Sequence, residues 1–457
     1  MGSISKRKEL QFLDSHQVAG IDWILSRPAS YLAHAPGAGK TAQAIIASLL
    51  CTAEGQVVFV VPPGLTKNWE REILLWTEWA GIFPTICIVP ESDKQDLIDW
   101  RAEFIICPDS MLAKPWVLTA LARLKKRFVG VDEASRFKEA TSSRTIALFG
   151  GRYVIKNKKT KITFESPGIV SDVQHVVLMD GSPMPNRPME LWAPVFALSP
   201  ETIENLSQQD FGFKYCGAKI NDFGKWEFKF SSRESELRAR LRRSFMHVVT
   251  ESELSHPERL RSILVMDQDP RSPEHKDWEQ RNLASLKDIS EDTSQGALAT
   301  FRRELGIRKI PWVADYVAGR LTNKNESILL FAWHREVCLG LAEKLAKFNP
   351  CLVMGGTKNE DRERYFELFQ SGKRKLIVGN ISAMGRGHNL QRADRVIFGE
   401  FSWTDETNTQ CEKRASRKGR DINLGVRCEY IAAPNSMDEK VLAAVFNKAR
   451  TVRKVIG

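Results

Sequence analysis

Short apolar runs alternate with amphipathic stretches through the first third of the chain, and that alternation predicts strands and helices in turn. Residues 13–25 carry apolar positions at helical spacing, with Asp14 or Ser15 available as an N-cap; taken alone, this is a packing helix. Tyr31-Leu32-Ala33 reads as a short strand, and residues 42–50 follow with the small and aliphatic side chains of a helix. Residues 57–61 form an apolar strand stopped by Pro62-Pro63, and residues 69–76 continue as an amphipathic helix. Two more buried strands are predicted at 104–107 and 128–131, the second running directly into Asp132-Glu133-Ala134-Ser135. Strand, helix, strand in alternation means an α/β fold with a parallel sheet. Such sheets place their chemistry at the C-terminal ends of their strands.

Between the first strand and its helix lies Ala35-Pro36-Gly37-Ala38-Gly39-Lys40-Thr41, the composition and placement of a phosphate-binding loop. Glycines let the backbone turn its N–H groups onto a phosphate at the helix N-terminus, Lys40 would reach the β/γ-phosphates, and the Thr41 hydroxyl would ligate Mg²⁺. His34 occupies the motif's first glycine position, and a plain glycine turn before an ordinary helix is the competing reading. The acidic pair argues against that alternative. Asp132 could hold Mg²⁺ through its water shell while Glu133 orients and deprotonates the attacking water. Adjacent acids are common on surfaces, but following an apolar strand about 90 positions after a phosphate loop they point to a nucleoside triphosphatase.

Composition adds a partner. At 457 residues and 42% hydrophobic content there is material for two or three domains. A formal charge of +11 favours a polyanion, nucleic acid before membrane, although the excess could serve solubility alone. No run is apolar and long enough to cross a bilayer, and residues 2–9 lack a signal-peptide core, so a cytoplasmic protein without membrane partner is expected. The eight cysteines are scattered singly from Cys51 to Cys428, which reads as reduced and free of zinc.

The motifs together resemble the Swi/Snf family, the sucrose-nonfermenting-type DNA translocases of helicase superfamily two. In the N-terminal half the resemblance is carried by Gln17-x-x-Gly20-x-x-Trp23, Gly37-x-Gly39-Lys40-Thr41, Val60-Val61-Pro62 with Asn68-Trp69-x-x-Glu72, Asp132-Glu133-Ala134-Ser135, and Gly181-Ser182-Pro183 with Glu190-Leu191-Trp192. In the C-terminal half it is carried by Phe331-Ala332-Trp333-His334, Gly355-Gly356-Thr357 with Arg362 and Phe369, Gly385-x-Gly387-His388-Asn389-Leu390, Glu400-x-x-Trp403, and Gln410-x-x-x-Arg414-x-x-Arg417-x-Gly419. Phe211-Gly212-Phe213-Lys214-Tyr215-Cys216 and Arg187-Pro188-x-Glu190-Leu191 are most similar to the HARP-associated annealing-helicase branch, without its accessory modules.

This resemblance implies two RecA-like parallel-sheet lobes with ATP in the cleft between them and DNA running across both. Lobe one would supply Pro36, Gly37, Ala38, Gly39, Lys40 and Thr41 to the nucleotide, Gln17 to the adenine, Thr41 and Asp132 to Mg²⁺, and Glu133 to the water. Gly387 would join the nucleotide site, Arg414 and Arg417 would act as arginine fingers, and Gln410 would couple the lobes. Phosphoryl transfer spreads charge over the γ-oxygens, so an arginine delivered on closure ties hydrolysis to closure. A solvated basic helix face is the plainer reading of these arginines, since Lys413, Lys418 and Arg420 surround them.

DNA contacts would come from loops at sheet ends, holding phosphates without reading bases. On that pattern the candidates are Pro62, Lys67, Ser110, His334, Arg335, Thr357 and Ser382. Ser182 is no nucleophile elbow, because no glycine follows at the required spacing. Departures from the family are Ser135 where His is usual, Lys413 for an acidic residue, and Met246-His247-Val248-Val249 where relatives carry an arginine pair. Residues 153–155 and 162–164 flank a lysine-rich stretch and read as a β-hairpin, whose basic tip around Lys158 is either solvated or touches DNA. Expected boundaries are lobe one at 1–250, with the hairpin insertion at about 150–170 and a helical protrusion at about 200–250, a linker and polar insertion at 251–310, and lobe two at 311–457, in a monomer.

The function expected is a DNA-dependent ATPase that translocates on double-stranded or branched DNA, located in the cytoplasm, or in the nucleus if eukaryotic. A strand-separating helicase and a poorly hydrolysing nucleotide-gated DNA-binding scaffold are the rivals. The second rests on Ser135 and Lys413.

Overall fold

Strands β1 (Ala29–His34), β2 (Gln56–Val61), β3 (Ile86–Ile88), β4 (Phe104–Pro108) and β5 (Lys126–Asp132), all but β3 at predicted apolar runs, are followed by β6 (Gly151–Lys156), β7 (Lys161–Ser166) and β8 (His175–Asp180). Two residue pairs, β9 (Lys219–Ile220) and β10 (Trp226–Glu227), form a ribbon before β11 (Met246–Val249). The computed structural model describes residues 13–92, 98–156, 161–221, 224, 226–228, 230–254, 257–282, 297–384, 390–416, 425–443 and 445. It divides into two units with the boundary between Leu254 and Ser255.

The first unit is built on one seven-stranded sheet in the order β11-β1-β8-β5-β2-β4-β3, every pairing parallel. Because helices cover both faces, alternate residues of each strand enter different cores, and the strand reads as unbroken apolar sequence. Val58, Val60, Val129 and Val131 pack on one side; Val57, Phe59, Val61 and Phe128 pack on the other. Gly130 is required by this packing, since a Cβ there would lie 2.5 Å from the Phe59 ring. The 153–155 and 162–164 segments form the expected antiparallel hairpin, Tyr153 opposite Phe164. Its tip, with Lys158, lies outside the described residues.

The second unit holds β12 (Arg259–Val265), β13 (Ile328–Ala332), β14 (Cys351–Val353), β15 (Leu376–Asn380), β16 (Arg395–Phe398) and β17 (Val426–Ala432). They form a six-stranded parallel sheet in the order β12-β17-β16-β13-β15-β14. This corrects the linker expected at 251–310, because β12 pairs along its whole length with β17 and belongs to the sheet. The helix expected to begin near Gly306 spans Ala297–Asn323, with Pro311 inside it. All eight cysteines are buried and unpaired. Among the described residues, no helix is long and apolar enough to cross a membrane.

Candidate functional site

The sheet order places β8 between β1 and β5, so the loop after β1 and the acids ending β5 flank the end of β8. Ala33 is in register with Asp180, and Asp132 with Met179. Three strand ends therefore meet at one C-terminal edge.

Gly37 and Gly39 take left-handed backbone, with φ of 90° and 73°, conformations in which a side chain is strained. Gly39 is the N-cap of the helix Lys40–Leu50, which leaves the amides of the first helical turn facing the loop. A Cβ on Gly39 would also come within 2.2 Å of Gln17 Nε2. The loop is held from beneath: Gln43 donates to the Ala38 carbonyl at 2.8 Å, and His16 Nε2 lies 3.1 Å from the same oxygen. Gln17 reaches that carbonyl at 3.5 Å and accepts the Asp14 N–H at 2.9 Å, so it bridges the first helix to the loop. Lys40 donates to the His34 carbonyl at 2.7 Å, folding back across the loop where a phosphate would sit. Gly181 approaches from β8; a Cβ there would meet the Pro36 ring at 2.8 Å.

Asp132 accepts the Trp69 indole N–H at 3.0 Å through one oxygen and the Glu133 backbone N–H at 3.0 Å through the other. Burial raises its carboxyl above the ordinary range; Asp180 adds to this, and the Trp69 bond and Lys40 oppose it. A carboxylate destabilised by burial beside a loop amine suits a divalent cation. Glu133 adopts left-handed backbone, φ 51°, an uncommon conformation for a residue with a side chain. Lys40, Thr41 and Asp132 are thereby brought to one edge with Glu133.

Sequence reading missed Asp180. It is 1% exposed and accepts the backbone N–H groups of Ser135 at 2.8 Å and Ser182 at 2.7 Å, so one carboxylate ties the acidic motif to the Gly181-Ser182-Pro183 loop. Its signal was an acid ending an apolar strand, the same rule that found Asp132. His247 was noted only as a departure; its Nδ1 lies 2.7 Å from His34 Nε2, beneath the loop. Burial lowers both imidazoles, with His34 brought down to about 2, and His247, Lys40 and His16 contributing there.

The DNA candidates are placed less uniformly. Pro62 is buried at the end of β2, where its carbonyl accepts the Leu65 N–H. Lys67 is exposed and paired with Glu70 at 2.8 Å, and Ser110 is exposed. In the second unit, Glu400 accepts the Trp333 and His334 N–H groups and contacts His334 Nδ1 at 2.7 Å, fixing that loop. Arg335 donates to the Gly355 carbonyl, Thr357 Oγ1 accepts the Met354 N–H, and Ser382 bonds Asn380. Gln410 donates to Glu406 from the helix Asp405–Glu412, and Arg414 lies in the turn after it. Gly387 and Arg417 lie outside the described residues.

A phosphate loop and an acidic strand end on one parallel sheet, with a second parallel-sheet unit beyond, define a helicase-like ATPase of two RecA-like units. Residues 16–256 match the SNF2-related domain, more than half of the chain, and residues 308–419 match the helicase conserved C-terminal domain. The chain belongs to the SNF2-related family. It is 25% identical over 443 residues to the SWI/SNF-related matrix-associated actin-dependent regulator of chromatin subfamily A-like protein 1 of Bos taurus, covering 95% of this chain and 44% of that one. It is 24% identical over 433 residues to the DNA annealing helicase and endonuclease ZRANB3 of Mus musculus, covering 92% and 38%. The chain thus spans less than half the length of these relatives. A solved Sulfolobus solfataricus SWI2/SNF2 ATPase core in complex with dsDNA aligns over 97% of both chains at 16% identity and a TM-score of 0.43.

Proposed function

We propose that this chain hydrolyses ATP and uses the cycle to move along double-stranded or branched DNA without reading its sequence. The observation carrying the reading is the edge formed by β1, β8 and β5, where Lys40 and the strained Glu133 lie beside the half-buried Asp132. The backbone amides after Gly37 and Gly39 bind phosphate oxygens, and Lys40 exchanges the His34 carbonyl for the β/γ-phosphates. Glu133 takes a proton from water as that water attacks the γ-phosphorus, and ADP leaves with the electrons of the broken P–O bond. Thr41 and Asp132 would hold Mg²⁺, which neutralises charge developing on the phosphates. Arg414 and Arg417 supply further positive charge to the transition state, and Gln410 links their motif to the cycle.

DNA as the partner is supported by the net charge of +11 and by the similarity to a DNA annealing helicase. The test is steady-state ATP hydrolysis by the wild type and Glu133→Gln, each without nucleic acid, with single strands and with duplex. Duplex should raise turnover severalfold and Glu133→Gln should abolish it. Turnover indifferent to DNA while duplex still binds would overturn the motor in favour of a nucleotide-gated scaffold. Separation of a labelled strand would make it a conventional helicase instead.

A further inference from the structure

An aromatic ledge stands on the first unit around the β9–β10 ribbon. Phe213 is 40% exposed, Ile220 60%, Trp226 50% and Phe230 40%, although large apolar side chains are ordinarily buried. Phe213 meets Trp226 at 4.9 Å and Phe228 at 5.4 Å, both nearly perpendicular. Edge-to-face packing holds these rings against one another while half of Trp226 stays exposed. Gly212 makes this possible, since a Cβ there would lie 2.6 Å from the Phe228 ring. Lys219 extends its ammonium over Phe230 at 4.3 Å.

Beside the ledge, Arg187, Met189, Gln208, Gln209, Glu227 and Phe228 line a cleft of about 450 Å³. That volume is within the range of small-ligand sites. Its two amides and one carboxylate can donate to and accept from a heterocycle edge, and Arg187 can meet a phosphate. The surrounding sequence is basic: residues 213–233 contain Lys214, Lys219, Lys225, Lys229 and Arg233 against Asp222 and Glu227, with residues 222, 225 and 229 outside the described set. Lys214 is engaged by Glu204 and Glu236, which leaves Lys219 as the described lysine at the ledge.

We infer that this ledge and cleft bind unpaired nucleotides of a DNA strand, Trp226 stacking on a base and the cleft taking the base edge or its neighbour. In a duplex the base faces are covered by stacking, so open rings flanked by cations select unpaired nucleotides. A protein partner would also value exposed aromatics, but it would not need a cleft whose two amides, carboxylate and guanidinium together match a base edge and its phosphate. The inference rests on the proposed DNA reading and narrows it to junctions and single-stranded tails. The motor would thereby be held where duplex meets an unpaired strand.

The experiment is fluorescence anisotropy without nucleotide, comparing a blunt duplex with the same duplex carrying an oligothymidine overhang, for wild type, Trp226→Ala and Trp226→Phe. Stacking on alanine substitution predicts that the wild type prefers the overhang by roughly tenfold and that Trp226→Ala loses most of this. Trp226→Phe should keep most of it, and binding to blunt duplex should be unchanged in both. A wild type with no overhang preference, or a Trp226→Ala protein that retains it, overturns the inference. So does loss of self-association by Trp226→Ala with DNA preference intact, which would make the ledge an interface between copies. Duplex-stimulated ATPase is measured on the same proteins: its absence defeats the motor and leaves the overhang preference standing, and the reverse pattern defeats only the ledge.

Discussion

The Trp69 indole N–H donates to Asp132 Oδ2 at 3.0 Å, joining a helix to the acidic strand end. Trp69 is 1% exposed, and its ring lies 4.6 Å from Phe59, so the donor is locked by packing. With the Glu133 N–H on the other oxygen, the bond fixes the plane of the carboxylate and so the directions of the lone pairs that a cation would use. Loss of a group that orients a metal ligand commonly costs ten- to a hundredfold in affinity or activity.

Trp69→Phe keeps the apolar packing and removes that donor. ATPase activity should fall at least roughly tenfold at limiting Mg²⁺ and recover in part as Mg²⁺ is raised. A magnesium titration on both proteins checks this. Superimposable curves would show that Asp132 needs no orientation from Trp69.

Asp180→Asn retains the shape but leaves a single acceptor oxygen for the Ser135 and Ser182 amides. One buried N–H then goes unbonded, at a cost of about 1–3 kcal/mol. Because this carboxylate's two oxygens hold one amide of each loop, basal hydrolysis should fall modestly while stimulation by duplex collapses. Equal loss with and without DNA would assign Asp180 to the chemistry instead of the coupling.

His34 and His247 give stability an acid limb. The groups facing them are His16 from the first helix, Lys40 from the loop helix, and Arg27 and Glu253 on the His247 side. Native His34 refuses a proton down to about 2, whereas the unfolded imidazole accepts one near 6.5. The unfolded state therefore binds more protons below 6.5, and stability falls with pH by about 1.4 kcal/mol per unit for this group. His34→Gln should flatten the limb. Urea midpoints of both proteins at pH 7.5, 6.5 and 5.5 measure it; parallel profiles would discard the linkage.

The first unit was legible because a doubly covered parallel sheet turns each strand into an unbroken apolar word, as at residues 57–61 and 128–131. Gly37, Gly39, Lys40 and Asp132 were legible because phosphate chemistry demands those types at that spacing. Asp180 ends an apolar strand as Asp132 does, but its role rests on amides from β8's own turn and the loop after β5, which no local pattern records. The helix Ala297–Asn323 was hidden by Gly306 and Pro311. Gly306 is a contact requirement, a Cβ there meeting Glu400 Oε1 at 2.2 Å. Strand β12 was read as linker because an edge strand is half solvated: Leu260, Ile263 and Val265 are 46%, 42% and 48% exposed.

What holds β12 in place leads to the last prediction. Glu412 is fully buried and bonds Arg259 and Arg261 of β12 as well as the Tyr430 hydroxyl of β17 at 2.7 Å. Arg261 also reaches Asp405 at 2.7 Å, so the helix Asp405–Glu412 is fastened at both ends to the sheet edge. Gln410 and Arg414 flank Glu412, and the same network fixes their positions. Glu412→Gln removes the charge without the shape and leaves two guanidinium groups short of it, which should cost roughly 3–5 kcal/mol in the second unit. Calorimetry should show one unfolding transition lowered and the other unmoved, with ATPase activity reduced alongside. Adding Arg259→Met to Glu412→Gln removes one of the two guanidinium groups left short of that charge, keeps the Arg261–Asp405 pair and should restore part of the loss. An unshifted transition in the single variant, or no recovery in the double, would show that packing alone seats β12.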